Sequence, residues 1–335
     1  MREKHVVIIG GGPAGAVCGY LLKKAGVDCV VVDHATFPRE KICGGGLTPK
    51  AYDLLYKLMP ELTYDYQAVR HARFMLDGKT VCEIDVDREL RMVRRKDFDD
   101  ALMQAYLGIG GAFIKGSFDS FETQADGRLL VKLKSGETLL CDYLVGADGS
   151  NSKVRAALTG DDYQGNTLCI EQYTEPGENT FVFEIAKAYG VGYFYRFPSV
   201  GRDVVGVGGA GKSLKELKAM LAEKGIAVEP GLRGAYISVD TVMSENERVI
   251  LIGDAGGFAN KLSYEGLYYA IATAETAYKA IMEEKRYLIL NREIFRKKRR
   301  EVYVTKFFYS RYGFWLVRLS SCSPWLIKKI FQRYL

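Results

Sequence analysis

The stretch His5–Asp33, HVVIIGGGPAGAVCGYLLKKAGVDCVVVD, limits what this chain can fold into more than any other. Val6, Val7, Ile8 and Ile9 form an unbroken apolar run, the pattern of a parallel strand covered on both faces. Gly10, Gly12 and Gly15 follow with GxGxxG spacing. Ala14, Cys18, Leu21, Leu22 and Ala25 then recur at helical intervals, so an amphipathic helix follows directly after the turn. Gly26 closes that helix, and Cys29 to Val32 read as a second buried strand ending at Asp33.

This order of strand, glycine turn, helix and strand sets out a phosphate site. Gly10 allows the tight turn, Gly12 lets backbone approach a pyrophosphate, and Gly15 lets helix and strand pack closely. The helix N-terminus points unpaired N–H groups and a positive dipole at the phosphates, and Pro13 and Ala14 beside it are candidate cofactor contacts. Asp33, eighteen residues past Gly15, stands where an adenosine ribose would offer its hydroxyls. The other reading is a glycine-rich turn without a ligand. The flanking strands and the terminal acid argue for the dinucleotide site.

Chain length allows one large domain or two medium ones, and the rest of the sequence points to a discontinuous arrangement. After Asp33, residues around Pro38, Gly44, Gly45, Gly46 and Pro49 mark a loop, with a helix from Lys50. Residues 64–86 turn to short strands around an Asp77-Gly78 hairpin. A helix follows with Phe98, Leu102 and Tyr106 on one side. Residues 113–145 read as a three-stranded meander ending in Gly146-Ala147-Asp148-Gly149. Alternating strands dominate 165–211. A buried strand at Val249–Ile252 then leads into a glycine-rich loop and a long helix.

Seven cysteines without CxxC spacing argue against a disulfide framework or zinc site and for a reducing cytoplasm. His5, His34 and His71 form no ligand pattern, so no metal is expected. No leader-type segment and no run of about 20 apolar residues is seen, so no membrane span is expected. From Lys285 to Leu335, 14 Lys/Arg stand against 2 Glu, so this segment carries +12 and the rest of the chain −6.

Four marks in fixed order now carry a resemblance: GxGxxG with Asp33, Arg95 in RKDFDDAL, GADGSNSKVR, and GDAGGF. Together they resemble the FAD-dependent oxidoreductases of the para-hydroxybenzoate hydroxylase superfamily. Within it the chain is similar to the geranylgeranyl reductase family. The finer marks are Lys41-Ile-Cys43-Gly44-Gly45-Gly46 for KxCGG, and Tyr193-Phe-Tyr195-Arg-Phe197-Pro198 for YxWxFP.

The resemblance implies an α/β fold with a Rossmann-type FAD-binding domain of the glutathione-reductase kind, an inserted antiparallel β-sheet substrate domain and a helical C-terminal tail. The expected parts are 1–60, 91–159 and 246–284 for FAD, 61–90 and 160–245 for substrate, and 285–335 for the basic tail. FAD would be held non-covalently. Its electron donor is left open between transient NAD(P)H and a protein or quinol. The implied reaction is reduction of carbon–carbon double bonds in an isoprenoid or other apolar substrate. A flavin monooxygenase and a non-catalytic flavin-bound protein are the alternatives.

Residue by residue, Arg95 is similar to the arginine near the FAD pyrophosphate, and Asp148 lies in the motif that supports flavin and any nicotinamide. Asp254, after Gly253, resembles the acid that bonds the ribitol hydroxyls, with a simple loop cap as the other reading. The loop leading to Gly266 and the next helix would aim positive dipole at the flavin's pyrimidine edge. The resemblance places Cys43 facing the flavin as a proton donor or substrate contact, beside the reading of an inert loop cysteine. Tyr193, Tyr195 and Phe197 project from one strand face and would line an apolar cavity.

Two departures stand out. Lys261 and Tyr264 replace the proline and first glycine of the family's Asn-Pro-x-x-Gly-Glu-Gly loop, which makes Tyr264 a competing proton donor. Tyr195 replaces a tryptophan. A rival motif, Gly206–Ser213, fits GxxxxGK[ST] and would imply a P-loop nucleotidase.

In the tail, Phe307, Phe308, Tyr312, Trp315, Leu316 and Leu319 fall near helical spacing among basic residues. Peripheral contact with the inner face of a membrane is one expectation and packing on the acidic remainder the other. Nucleic acid is not expected, because no recognised module accompanies the charge.

Overall fold

The computed structural model describes residues 2–161, 165, 167–228, 230–320, 325, 328 and 329. Two sheets organise them. The strands are β1 (Arg2–Ile9), β2 (Cys29–Asp33), β3 (Gly46–Leu47), β4 (Gln67–Leu76), β5 (Lys79–Met92), β6 (Ala112–Lys115), β7 (Phe118–Thr123), β8 (Leu129–Leu133), β9 (Thr138–Gly146), β10 (Thr167–Thr174), β11 (Thr180–Ile185), β12 (Gly192–Ser199), β13 (Arg202–Ala210), β14 (Arg233–Ile237) and β15 (Val249–Leu251). The helices are α1 (Pro13–Lys24), α2 (Pro49–Leu58), α3 (Arg95–Gly108), α4 (Lys153–Thr159), α5 (Leu214–Glu223), α6 (Leu267–Met282), α7 (Tyr287–Leu290), α8 (Arg292–Phe308) and α9 (Arg311–Ser320).

The first sheet runs β6-β2-β1-β9-β8-β7, with β15 paired to the far end of β9. Its β6, β2, β1, β9 and β15 are parallel neighbours, and both faces are covered. Valines and isoleucines of β1 therefore divide between two cores. Val6 and Ile8 meet α1, α3 and α6, while Val7 and Ile9 meet the layer that includes Phe118, Leu139 and Val154. The expected three-stranded meander has four strands. Its first segment breaks at Gly116: β6 joins β2 in parallel, and β7 turns away to pair with β8.

The second sheet runs β14-β10-β13-β12-β11-β4-β5-β3. The antiparallel expectation needs one correction, since β11 lies parallel to β4, His71 opposite Thr180 and Leu76 opposite Ile185. That pair joins the two distant insertions into one sheet, so no hairpin constrains its direction. The P-loop reading is also overturned. Gly206, Gly208 and Gly209 lie inside β13, and the Ser213 hydroxyl is occupied in a reciprocal capping box with Glu216 at the start of α5.

The tail packs on the second sheet through one side. Phe314 of α9 is buried among Val69, Leu90, Met92, Tyr193 and Phe197. Tyr309 donates to the Gly192 carbonyl at 3.2 Å, and Arg318 reaches Asp77 at 3.0 Å. Among the described residues, no helix is long and apolar enough to cross a membrane.

Candidate active site

One cavity of about 1360 Å³ runs from the α1 turn, between the sheets, to α8 and α9. Ordinary small-molecule sites measure roughly 300–1,000 Å³, so this one has room for a dinucleotide and a second ligand. Its walls include Gly10, Gly12, Pro13, Ala14, Asp33, Lys41, Arg95, Asp148, Asp254 and Gly266 towards one end, Cys43, Gly44 and Gly45 between, and Tyr193, Tyr195, Phe197 and Tyr264 towards the other. Gly15 and Gly253 stand behind that wall and set its shape.

The phosphate end is made by missing side chains. Gly10 has φ +104°, and a Cβ there would lie 2.6 Å from the Ala147 carbonyl carbon. A Cβ on Gly15 would strike the Gly10 carbonyl oxygen. Gly12 is the N-cap of α1 and has no side chain to cap it, and Pro13 at the first helical position has no N–H to satisfy. The first-turn amides are thus left to an anion.

Cations gather beside them. Arg95 grips the fully buried Asp99 with two bonds, 2.7 and 2.9 Å, and Arg39 approaches the same acid at 3.4 Å. Burial works against the Arg95 charge, but Asp99 and the neighbouring Cys43 thiol hold its pKa above the ordinary arginine value. Lys41 is held below the usual lysine value by burial, then by Arg95, with Asp254 opposing. Three cations against Asp99 and Asp254 leave positive charge in excess, as a bound pyrophosphate requires.

The predicted acids differ in what their oxygens do. Asp33 accepts the N–H of Gly11 at 2.7 Å and of Ala35 at 2.8 Å, so it also fixes the turn. Asp148 is a helix cap: Ser152 donates to it at 2.6 Å, and the Lys153 and Val154 N–H groups at 2.7 and 3.2 Å. The Asp254 carboxylate sits in the cavity wall, 3.3 Å from where a Cβ on Gly266 would project.

Cys43 lies between the two ends. Its sulfur accepts the Gly45 N–H at 3.4 Å, and its own N–H donates to Glu171 Oε1 at 2.9 Å. Gly44 has no room for a side chain, because a Cβ would come within 2.6 Å of the Phe197 ring. Tyr193, Tyr195 and Phe197 are buried on one face of β12 and continue into other rings. Phe181 stacks on Phe197 at 4.0 Å, Phe183 meets Tyr193 at 4.3 Å, and Tyr264 stacks on Tyr193 at 5.2 Å. Tyr264 holds φ +55° and donates its hydroxyl to the Val191 carbonyl at 2.9 Å. Burial raises its pKa, so the phenol stays protonated.

Glu171 was not among the residues read from sequence. It is 2% exposed, and its second oxygen accepts the Tyr195 hydroxyl at 2.8 Å. Burial raises its pKa above the ordinary carboxylate value, against the pull of the Tyr195 and Cys43 bonds. The available signal was one acid at an inward position of a strand, in the alternating set Cys169, Glu171, Tyr173.

The turn, cation cluster and glycine cradle define a dinucleotide flavoprotein. Residues 3–172 match the model described as FAD binding domain. The chain belongs to that family, in the geranylgeranyl reductase-like group of FAD-dependent oxidoreductases. It is 27% identical to the chloroplastic geranylgeranyl diphosphate reductase of Arabidopsis thaliana, covering 84% of this chain and 66% of that one. It is 30% identical to menaquinone reductase of Mycolicibacterium smegmatis, covering 81% and 75%. A solved geranylgeranyl bacteriochlorophyll reductase-like protein from Thermoplasma acidophilum has the same fold, with TM-score 0.78, 18% identity and 99% of each chain covered. A solved protein from Pseudomonas aeruginosa described as a probable FAD-dependent monooxygenase shares this fold too, with TM-score 0.74, 18% identity and 96% of this chain and 100% of that one covered, so the fold alone does not choose the reaction.

Proposed function

We propose that this oxidoreductase adds hydrogen across a carbon–carbon double bond of an isoprenoid or similarly long apolar substrate. The observation that carries the reading is the unbroken passage from the phosphate cradle, past Cys43, into a cavity walled by Tyr193, Tyr195, Phe197, Phe181 and Phe183. Geranylgeranyl and menaquinone side chains are both isoprenoid, which fits the names of the two relatives.

Saturating an alkene takes a hydride on one carbon and a proton on the other. Bound FAD, in its reduced form, supplies the hydride, with electrons drawn from NAD(P)H or a protein or quinol donor. Gly10, Gly12, the α1 amides, Arg39, Lys41 and Arg95 would hold its phosphates. The Cys43 thiol gives the proton, with the Arg95 guanidinium beside it. Glu171 fixes the Cys43 backbone and the Tyr195 hydroxyl together, while the rings exclude water and orient the chain.

The test is anaerobic. The protein is reduced with dithionite and mixed with geranylgeranyl and menaquinone-type substrates. Flavin reoxidation with a product two mass units heavier supports the reading. A hydroxylated product formed only with oxygen makes it a monooxygenase, and neither product makes it a flavin-bound binding protein.

A further inference from the structure

We propose that the outer face of α8 and α9 docks on an anionic lipid bilayer, with the mouth of the cavity opening into it. Seven of the sixteen large apolar side chains exposed among the described residues fall between Tyr303 and Trp325. Along α8, Arg296, Arg300, Tyr303 and Phe307 follow one another at four- and three-residue steps, all exposed, so they form a single stripe that is basic at one end and aromatic at the other.

Helix α9 carries apolar side chains on its covered side and on part of its exposed side. Phe314 and Val317 face the protein, while Tyr312, Trp315 and Leu316 are exposed. Arg311 and Arg318 are exposed on the same helix, so its outer surface sets three large apolar side chains beside basic ones and calls for a partner that is apolar and anionic together. The neighbouring Arg296, Lys297, Arg299, Arg300 and Lys306 are exposed and choose an anionic one.

The cavity decides between a bilayer and a protein. Val304, Phe307 and Leu316 are exposed, yet they also line the cavity. Surface patch and cavity mouth are therefore the same place. A lipid-soluble molecule would pass from the bilayer to the aromatic wall without crossing water, whereas a second protein seated there would close the entrance.

The experiment reads docking without catalysis, so it stands or falls apart from the reductase reading. Both tryptophans of the chain, Trp315 and Trp325, lie in this region. Trp325→Phe holoprotein, its emission now from Trp315 alone, is mixed with phosphatidylcholine vesicles with or without phosphatidylglycerol. Docking predicts a blue shift and quenching by brominated lipid only with the anionic vesicles, reversed by salt. Arg296→Ser with Arg300→Ser should weaken co-sedimentation by about 30-fold, at roughly fivefold per basic residue. Tyr312→Ser with Trp315→Ser should also abolish co-sedimentation while keeping flavin absorbance. Unchanged Trp315 emission with anionic vesicles overturns the proposal. So does a concentration-dependent dimer that the Tyr312→Ser, Trp315→Ser variant dissociates, because a second copy would then cover the face.

Discussion

Glu171 Oε1 accepts the backbone N–H of Cys43 at 2.9 Å, joining β10 of the second sheet to the loop that follows the dinucleotide motif. The same carboxylate accepts the Tyr195 hydroxyl, so one buried acid sets both the cysteine and the first ring of the aromatic wall. Its two bonds need an acceptor on each oxygen. Burial asks for a proton on one of them.

That conflict gives a pH signature. The folded-state pKa of Glu171 is raised, so the folded protein binds the proton more tightly than the unfolded chain. Its contribution is fully present below the ordinary carboxylate pKa and is lost as pH rises through the raised value. Glu171→Gln should remove this slope and leave the variant relatively more stable at the upper end of that window. Melting temperatures of both proteins across that range check it; parallel curves would refute it. Glu171→Ala should instead cost about 1–3 kcal/mol at the low end of that window, since the Tyr195 hydroxyl and Cys43 N–H lose their partner, and less as pH rises through the raised value.

The glycine cradle makes a prediction about flavin retention. In Gly15→Ala the new methyl meets the Gly10 carbonyl, which separates α1 from β1 and moves the amides away from the phosphates. The variant should fold less stably and emerge colourless from desalting. Gly26→Ala is the control: φ is +83° there, but nothing lies within 4 Å of the new methyl. It should lose about 1 kcal/mol of stability through backbone strain and stay yellow. The ratio of flavin to protein absorbance separates the two.

This half of the molecule was legible because its residues speak locally. An apolar run, three glycines and a terminal acid fix β1, α1 and β2 with no reference to the rest of the chain. The pairing of β4 with β11 was not legible, since Ala72 meets Phe181 through a sheet that exists only after both insertions are placed. Glu171 was hidden for a related reason. An acid in an alternating strand looks like a solvent-facing residue until a loop from elsewhere closes over it. In the tail, helical spacing identified α9 but not which apolar side would be covered, because both sides read alike.

Cys43 and Tyr264 compete as proton donors, and their surroundings rank them. The Tyr264 hydroxyl is already committed to the Val191 carbonyl and also bonds the Thr167 side chain, so Tyr264→Phe removes structural bonds worth about 0.5–1.5 kcal/mol each and should leave turnover within a few-fold of the parent. Cys43→Ala should keep its flavin and lose about 10²–10⁴-fold in kcat, the usual share of a positioned proton transfer. Turnover of reduced enzyme with substrate measures both. The opposite ranking would transfer the role to Tyr264 and leave Cys43 as a shaping residue.

The tail and the flavin loop are joined by Glu301. Its carboxylate accepts from Asn260 Nδ2 at 2.9 Å, the Lys261 N–H at 3.2 Å, the Tyr269 hydroxyl at 2.7 Å and the Lys298 ammonium at 2.6 Å. Lys298 is almost fully buried and also donates to the Ala259 carbonyl, so α8 grips both ends of the segment 259–261. Across the same loop, Glu265 is held by Thr48 at 2.7 Å and Lys50 at 2.8 Å. Removing Glu301 strands a buried ammonium, a loss of about 3–5 kcal/mol. Glu301→Ala should therefore lower the melting temperature and, by freeing the loop between Ala259 and Tyr264, shed FAD faster on dilution. Glu301→Gln keeps the shape and one acceptor oxygen, so it should fall between the alanine variant and the parent. Adding Lys298→Met to Glu301→Leu should recover part of the stability, because an apolar pair needs no compensation, but not the flavin retention, because Asn260 and the Lys261 N–H still lack their acceptor. A Glu301→Ala protein that melts early yet holds FAD as tightly as the parent would show that the contact anchors α8 alone.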